Sequence, residues 1–224
     1  MSVLINLSGG LDSLYILLNT LSTTSEKIVL HHCKIANLEG RRDVEYVSVL
    51  SILDELNLQY PERIKYIETS FDCLKTGYVI RDIEIIAFMN GIILRNPSYK
   101  DITKILVSAN AHDESNDPTE VSIVRRREIL DIIGPNKNES RLLDFPMLHM
   151  TKKEIIDSIP DTFLEKSWYC RKPIGYSKEG KIVSPIEESV DYWINCRMCK
   201  TCNHVLEAVG KDHFLYQKTI YKNI

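Results

Sequence analysis

Two groups of residues in this chain have the types and spacing to do chemistry: a cysteine cluster in the last quarter and a short glycine-containing run near the amino terminus. Cys196-x-x-Cys199-x-x-Cys202 places three thiols within seven residues, a spacing that lets a tight knuckle wrap one ion. Cys170 lies far enough upstream to close a tetrahedron around it. Four thiolates suit zinc. An iron–sulfur cluster is the rival reading of four cysteines, but the run lacks the ferredoxin continuation in which another Cys follows three residues on and precedes Pro. A closed four-cysteine site has no open coordination position, so the expected role of the Zn²⁺ is structural, pinning the end of the chain beside a pocket. The remaining Cys33 and Cys73 are expected to be small buried hydrophobes.

Ser8-Gly9-Gly10-Leu11-Asp12-Ser13 follows an apolar stretch and precedes an amphipathic one. In that context backbone N–H groups and a helix N-terminus bind phosphate. Gly9 and Gly10 let the backbone approach an anion closely, and Ser8 and Ser13 add hydroxyl donors. The run contains no lysine, so it is not the Gly-x-x-x-x-Gly-Lys loop that presents a γ-phosphate for transfer. A bare glycine pair would be explained by an ordinary capped turn. If the run holds a phosphate, an ionised Asp12 can only accept hydrogen bonds, so it is expected to hold Mg²⁺ or orient the loop rather than contact phosphate oxygens.

These residues need elements to position them. Short apolar runs alternate with amphipathic stretches through the first half of the chain, the pattern of a mostly parallel sheet flanked by helices. Strands are predicted at 3–7, 28–32, 64–67, 105–108 and 142–145, and helices at 14–21, 43–56, 81–94, 120–133 and 151–158. The stretch 81–94 is apolar on most sides, as a helix buried against several neighbours would be. Thr151-Lys152-Lys153-Glu154 has the form of a capping box. Beyond Pro160 the periodicity dissolves, and 171–185, rich in Pro and Gly, is expected to be a surface excursion between two parts of the metal site. The organisation expected is an ATP-binding α/β domain over 1–159, with a four-cysteine segment and tail over 160–224 packed on it.

At 224 residues and 44% hydrophobic, the chain can bury one sizeable core, which favours a single α/β unit. The net charge of −3 offers no global positive field, which argues against nucleic acid as a direct partner. No apolar run reaches the length of a membrane span and the amino terminus lacks signal-peptide character, so a cytoplasmic location is expected. Clustered cysteines suit the same reducing compartment. Arg125, Arg126 and Arg127 point in different directions on a helix and are expected on a solvated face. His31, His32, His112 and His149 have no metal-like spacing and are expected in the core or on the surface.

Ser-Gly-Gly-x-Asp-Ser after a first strand is the signature of the PP-loop ATP pyrophosphatases, and residues 8–13 match it without a substitution. Ser167-Trp168-Tyr169-Cys170 followed by Cys-x-x-Cys-x-x-Cys is similar to the tail of the 7-cyano-7-deazaguanine synthases within that group. Val79-Ile80-Arg81-Asp82 resembles the Pro-x-Arg-Asn segment of that family, and Ala109-Asn110-Ala111-His112-Asp113 resembles its Val-Asn-x-x-Asp stretch. Leu148 to Ile156 resembles its Leu-Thr-Lys-x-Glu-Ile-Ile helix start. The chain departs from the family where His32-Cys33-Lys34-Ile35 replaces Asp-Tyr-Gly-Gln, and in the excursion and tail.

The resemblance implies a doubly wound α/β PP-loop fold with a small C-terminal zinc segment. It further implies a carbon–nitrogen ligase, homodimeric, that converts 7-carboxy-7-deazaguanine and ammonia to 7-cyano-7-deazaguanine, splitting ATP (with Mg²⁺) to AMP and diphosphate. On that reading ATP lies against Leu7, Ser8, Gly9, Gly10, Leu11, Asp12 and Ser13, with Asp12, Ser13 and Arg81 catalytic. Arg81, Asn110, Asp113 and Trp168 are the candidates for deazapurine contacts. Each polar one of these also fits a loop ion pair or cap, and Trp168 also fits packing beside the metal knuckle. Cys170, Cys196, Cys199 and Cys202 hold Zn²⁺.

Overall fold

The computed structural model describes residues 1–76, 82–109, 121–136, 138–186 and 189–222. The chain begins with β1 (Ser2–Asn6), α1 (Leu11–Thr23), β2 (Lys27–Ala36), α2 (Arg42–Gln59) and β3 (Ile64–Asp72). It continues through α3 (Asp82–Arg95), β4 (Ile102–Leu106), α4 (Val121–Ile133) and β5 (Leu143–Asp144). The five strands form one parallel sheet in the order β3-β2-β1-β4-β5.

β1 is apolar along its length because both of its faces are covered. Val3 and Ile5 pack with Ile28 and Leu30 of β2 against α1 and α2, whereas Leu4 packs with Val29 and Ile105 against α3 and α4. The register Val3↔Ile28, Leu4↔Val29, Ile5↔Leu30 puts these alternating residues on common faces. Helices thus cover both faces of the sheet. The strand order reverses at β1, with β2 on one side and β4 on the other, and a crevice at the carboxyl ends of those strands is where such sheets take their ligands.

Several elements differ from their predicted bounds. β2 runs to Ala36 and β3 to Asp72, paired residue for residue beyond the end of β1. His31, His32 and Lys34 break the apolar pattern there. They are accommodated by polar partners: Asn6 and Thr69 for His31, Leu7 O for His32, and Glu68 for Lys34. α1 begins at Leu11, so the last three residues of the glycine run form its first turn. β4 starts and ends earlier than predicted, at Ile102–Leu106. Helix α3 is apolar on most sides, yet Phe88 and Ile92 are exposed, so part of its apolar surface is left uncovered among the described residues.

The region after Pro160 is more ordered than its lost periodicity implies. α5 (Lys152–Asp157) and α6 (Asp161–Leu164) lead into β6 (Ile174–Tyr176), β7 (Ile182–Val183), β8 (Tyr192–Ile194), α7 (Lys200–Val209) and β9 (Thr219–Tyr221). The four strands form an antiparallel sheet in the order β7-β6-β8-β9, so the excursion at 171–185 is a hairpin, mostly at the surface, between Cys170 and Cys196. Gly180, at φ 74°, makes its turn, and Gly175 sits opposite Trp193 where a Cβ would come within 3.0 Å of Val190. The strands are only two or three residues long, too short to show a period in sequence. Trp193, Ile220, Val205 and Leu215 are buried in the same apolar core as α1, α2 and α5. Among the described residues no helix is long and apolar enough to cross a membrane.

Candidate functional site

The glycine run sits at the carboxyl end of β1. Leu7 is clamped there: its N–H donates to His31 O (2.8 Å) and its carbonyl accepts from His32 Nδ1 (2.8 Å). Gly9 takes φ 77°, and a Cβ on it would lie 2.8 Å from Ser48 Oγ, so glycine is required by conformation and by space. A ring of hydrogen bonds shapes the entry to α1. Ser13 Oγ donates to Gly10 O (3.1 Å) and accepts from Ser8 N–H (3.2 Å), while Ser8 Oγ accepts from Gly10 N–H (3.3 Å) and lies 3.2 Å from Ser13 Oγ.

Gly10 is the N-cap of α1 and supplies no side-chain cap, so the first-turn amides of a 13-residue helix point out of the loop uncapped. Such a turn favours an anion through N–H groups and the helix dipole together. The side chains of Leu7, Leu11 and Ser13 are buried. Leu11 and Ser13 therefore offer a ligand their backbone amides, whereas both backbone groups of Leu7 are already taken by β2. Ser13 shapes the loop from inside, contrary to the expectation that its hydroxyl reaches a substrate.

Asp12 does have a partner, and the sequence alone did not reveal it. Lys152, the first residue of α5, is buried and extends its Nζ to 2.5 Å from Asp12 Oδ1. α5 is held in register by a complete capping box, with Thr151 Oγ1 accepting from Glu154 N–H and Glu154 Oε2 accepting from Thr151 N–H. A lysine is thus delivered beside the loop from 140 residues away. Of the two roles expected for Asp12, orientation fits this pairing; a cation already occupies one carboxylate oxygen.

Four thiols meet at the other end of the site. The Sγ atoms of Cys170, Cys196, Cys199 and Cys202 all lie within 4.8 Å of one another. The closest pairs are Cys199–Cys202 at 3.5 Å and Cys170–Cys199 and Cys196–Cys202 at 4.0 Å. Sulfurs at about 2.3 Å from a tetrahedral zinc are separated by about 3.8 Å. The donor set therefore fits one tetrahedral ion, and the cluster can bind a metal such as zinc. Backbone N–H groups of Cys196 and Cys199 point at Cys170 Sγ (3.2 Å) and Cys196 Sγ (3.3 Å), which favours thiolates. Arg197 turns the knuckle at φ 59°. None of the six cysteines is in a disulfide; Cys73 is buried and Cys33 half-buried, as small apolar residues.

Trp168 does not offer a face for stacking. It is 2% exposed within the core, and its indole N–H donates to Cys170 O (2.9 Å). Its backbone N–H instead donates to Gly9 O (2.8 Å), so it braces the loop. Arg81, Asn110 and Asp113 lie outside the described residues, as does His112. His31 and His32 are core residues and His149 is exposed. Burial, and next the neighbouring His32, lower the His31 pKa to about 4.

A charged network that the sequence did not announce flanks the loop. Arg41, 7% exposed, pairs with Glu39, Glu45 and Asp82, and Arg171 reaches Glu39 (3.2 Å) and Asp82 (3.6 Å). It ties the turn before α2, the first turn of α3 and the residue after Cys170 into one wall. Burial pushes the Glu45 carboxyl up to about 7 against the pull of Arg41. Comparison of the chain with models of protein families, with curated proteins and with solved structures found no match in any of the three.

Proposed function

We propose that this chain is an ATP pyrophosphatase of the PP-loop type that adenylates the carboxylate of a deazapurine. The observation that carries the reading is the uncapped first turn of α1, placed behind a clamped glycine pair where the strand order reverses. Backbone amides there suit the diphosphate leaving group of ATP, and Lys152 adds a buried cation beside it. A substrate oxygen attacks the α-phosphorus, giving an acyl-adenylate, and Mg²⁺ accompanies the phosphates. Catalysis is then positioning and charge stabilisation, with no protein nucleophile. The substrate proposed is 7-carboxy-7-deazaguanine. Ammonia displaces AMP to give the amide, and a second adenylation of the amide oxygen permits elimination to the nitrile. The four cysteines would hold a zinc ion, and a complete set of four thiolates suits a structural role rather than one that binds substrate.

The test is incubation with ATP, Mg²⁺, ammonium and 7-carboxy-7-deazaguanine, read by mass spectrometry. AMP, diphosphate and a product of nitrile mass are expected; an amide mass would shorten the reaction to its first half. ADP and phosphate as products, or no turnover of ATP, overturn the assignment. Lys152→Gln is expected to lower diphosphate release by about a hundredfold, the loss typical for removing one transition-state charge partner.

A further inference from the structure

The strap Ser167-Trp168-Tyr169-Cys170 joins two sites that lie far apart in sequence. At one end Trp168 N–H donates to Gly9 O (2.8 Å); at the other Cys170 contributes its thiol to the metal cluster. The strap itself has no slack. Ser167 Oγ donates to Leu164 O (2.9 Å) and Trp168 Nε1 to Cys170 O (2.9 Å). The Tyr169 hydroxyl donates to Leu215 O (2.5 Å) and accepts from Asn195 Nδ2 (2.6 Å). Ser167, Trp168 and Cys170 are all at most 2% exposed.

Immediately before the strap, Lys166 O lies 2.6 Å from the Ser48 hydroxyl, which also lies 3.1 Å from Gly9 O. The Gly9 carbonyl therefore accepts the Trp168 N–H, and it shares with Lys166 O the single proton of Ser48, whose hydroxyl sits between the loop and the chain leading into the strap. Because the peptide unit is planar, fixing that carbonyl fixes the plane that leads into the first turn of α1. At its far end the strap is anchored by the cysteine cluster, where Cys170 also accepts the Cys196 N–H (3.2 Å).

We propose that metal occupancy of the four cysteines sets the anion affinity of the glycine loop, with the strap and Ser48 as the positioning residues that transmit it. The inference rests on the phosphate-binding reading of the loop. A bound ion holds Cys170 against Cys196, Cys199 and Cys202. Without it the strap loses one anchor, the hold on Gly9 loosens, and the amides of the first turn are no longer fixed for an anion. The metal is then a control on nucleotide binding as well as a staple for the tail.

The zinc-loaded chain and the chain stripped by a chelator are compared by hydrogen exchange and by calorimetric titration with inorganic diphosphate. On stripping, the bonded amides within 7–13, those of Leu7, Ser8 and Gly10, are expected to lose protection together with 196–202, and diphosphate affinity to fall by about tenfold, within the range of coupled sites. Ser48→Ala touches no ligand of the metal; it is expected to keep its zinc, expose the same amides to exchange and weaken diphosphate by about threefold to tenfold, the worth of one lost hydrogen bond. Unchanged protection of these amides and unchanged affinity, with the knuckle opened, overturn the proposal. If stripping unfolds the whole chain, Ser48→Ala with zinc bound decides: native-like protection and affinity overturn the coupling. A loaded chain that binds no diphosphate removes the phosphate-binding reading, and with it the coupling to anion affinity.

Discussion

His31 stands at 0% exposure in the middle of the sheet, its ring bridging Asn6 Oδ1 (2.9 Å) and Thr69 Oγ1 (2.8 Å). Burial and the adjacent His32 lower its pKa to about 4 from the ordinary 6.5. The unfolded chain therefore binds the proton first, and His31 costs stability as pH falls from about 6.5 to about 4. Replacing it by Gln is expected to flatten that loss by up to about 3 kcal/mol, read as the difference between parent and variant in urea unfolding at pH 7 and at pH 4.5. Such buried polar residues were the least legible from sequence, because a partner across a sheet leaves no mark in the local pattern. Lys152 is the sharpest case. Its position in Thr-Lys-Lys-Glu was visible as part of a helix start, but only the packing of α5 on α1 turns it toward Asp12. The cysteines were legible because a metal site must be written in spacing, and their four sulfurs do meet.

Helices α3 and α4 lie against each other through Gly91, where an added Cβ would fall 2.7 Å from Ile133 Cγ2 and 2.8 Å from Ile133 Cβ. Gly91→Ala is expected to force the pair apart at a cost of about 1–3 kcal/mol, seen as a lower melting temperature with zinc content unchanged. Elements with long apolar periods, such as α2, were readable within a residue or two at their starts. Elements whose partners supply the order were not: β2 and β3 run on past the predicted ends because each satisfies the other's polar residues. In the second sheet the strands are too short for alternation to register; of the residues that suggested a loop, Gly180 marks the tip of a hairpin, Pro173 and Pro185 its borders, and Gly175 lies inside a strand. An apolar helix likewise does not announce which face stays open, as Phe88 and Ile92 show.

The carboxyl-terminal third shares one apolar core with α1 and α2, through Trp168, Trp193, Val205 and Ile220. Metal removal is therefore expected to lower the melting temperature of the whole chain in a single transition, by about 10 °C if several kcal/mol of binding are lost, rather than to melt the tail alone. Differential scanning calorimetry with and without chelator measures this; two separated transitions would contradict the shared core. The same joining has a consequence for how the protein is made. Ser48 meets Lys166 across 118 residues, and Gly9 meets Trp168 across more. During synthesis the amino-terminal strand and helix leave the ribosome early, yet the groups that clamp their connecting turn are among the later ones translated. The turn between β1 and α1 is thus translated before the residues that clamp it, so a nascent chain can be compact well before that turn is fixed.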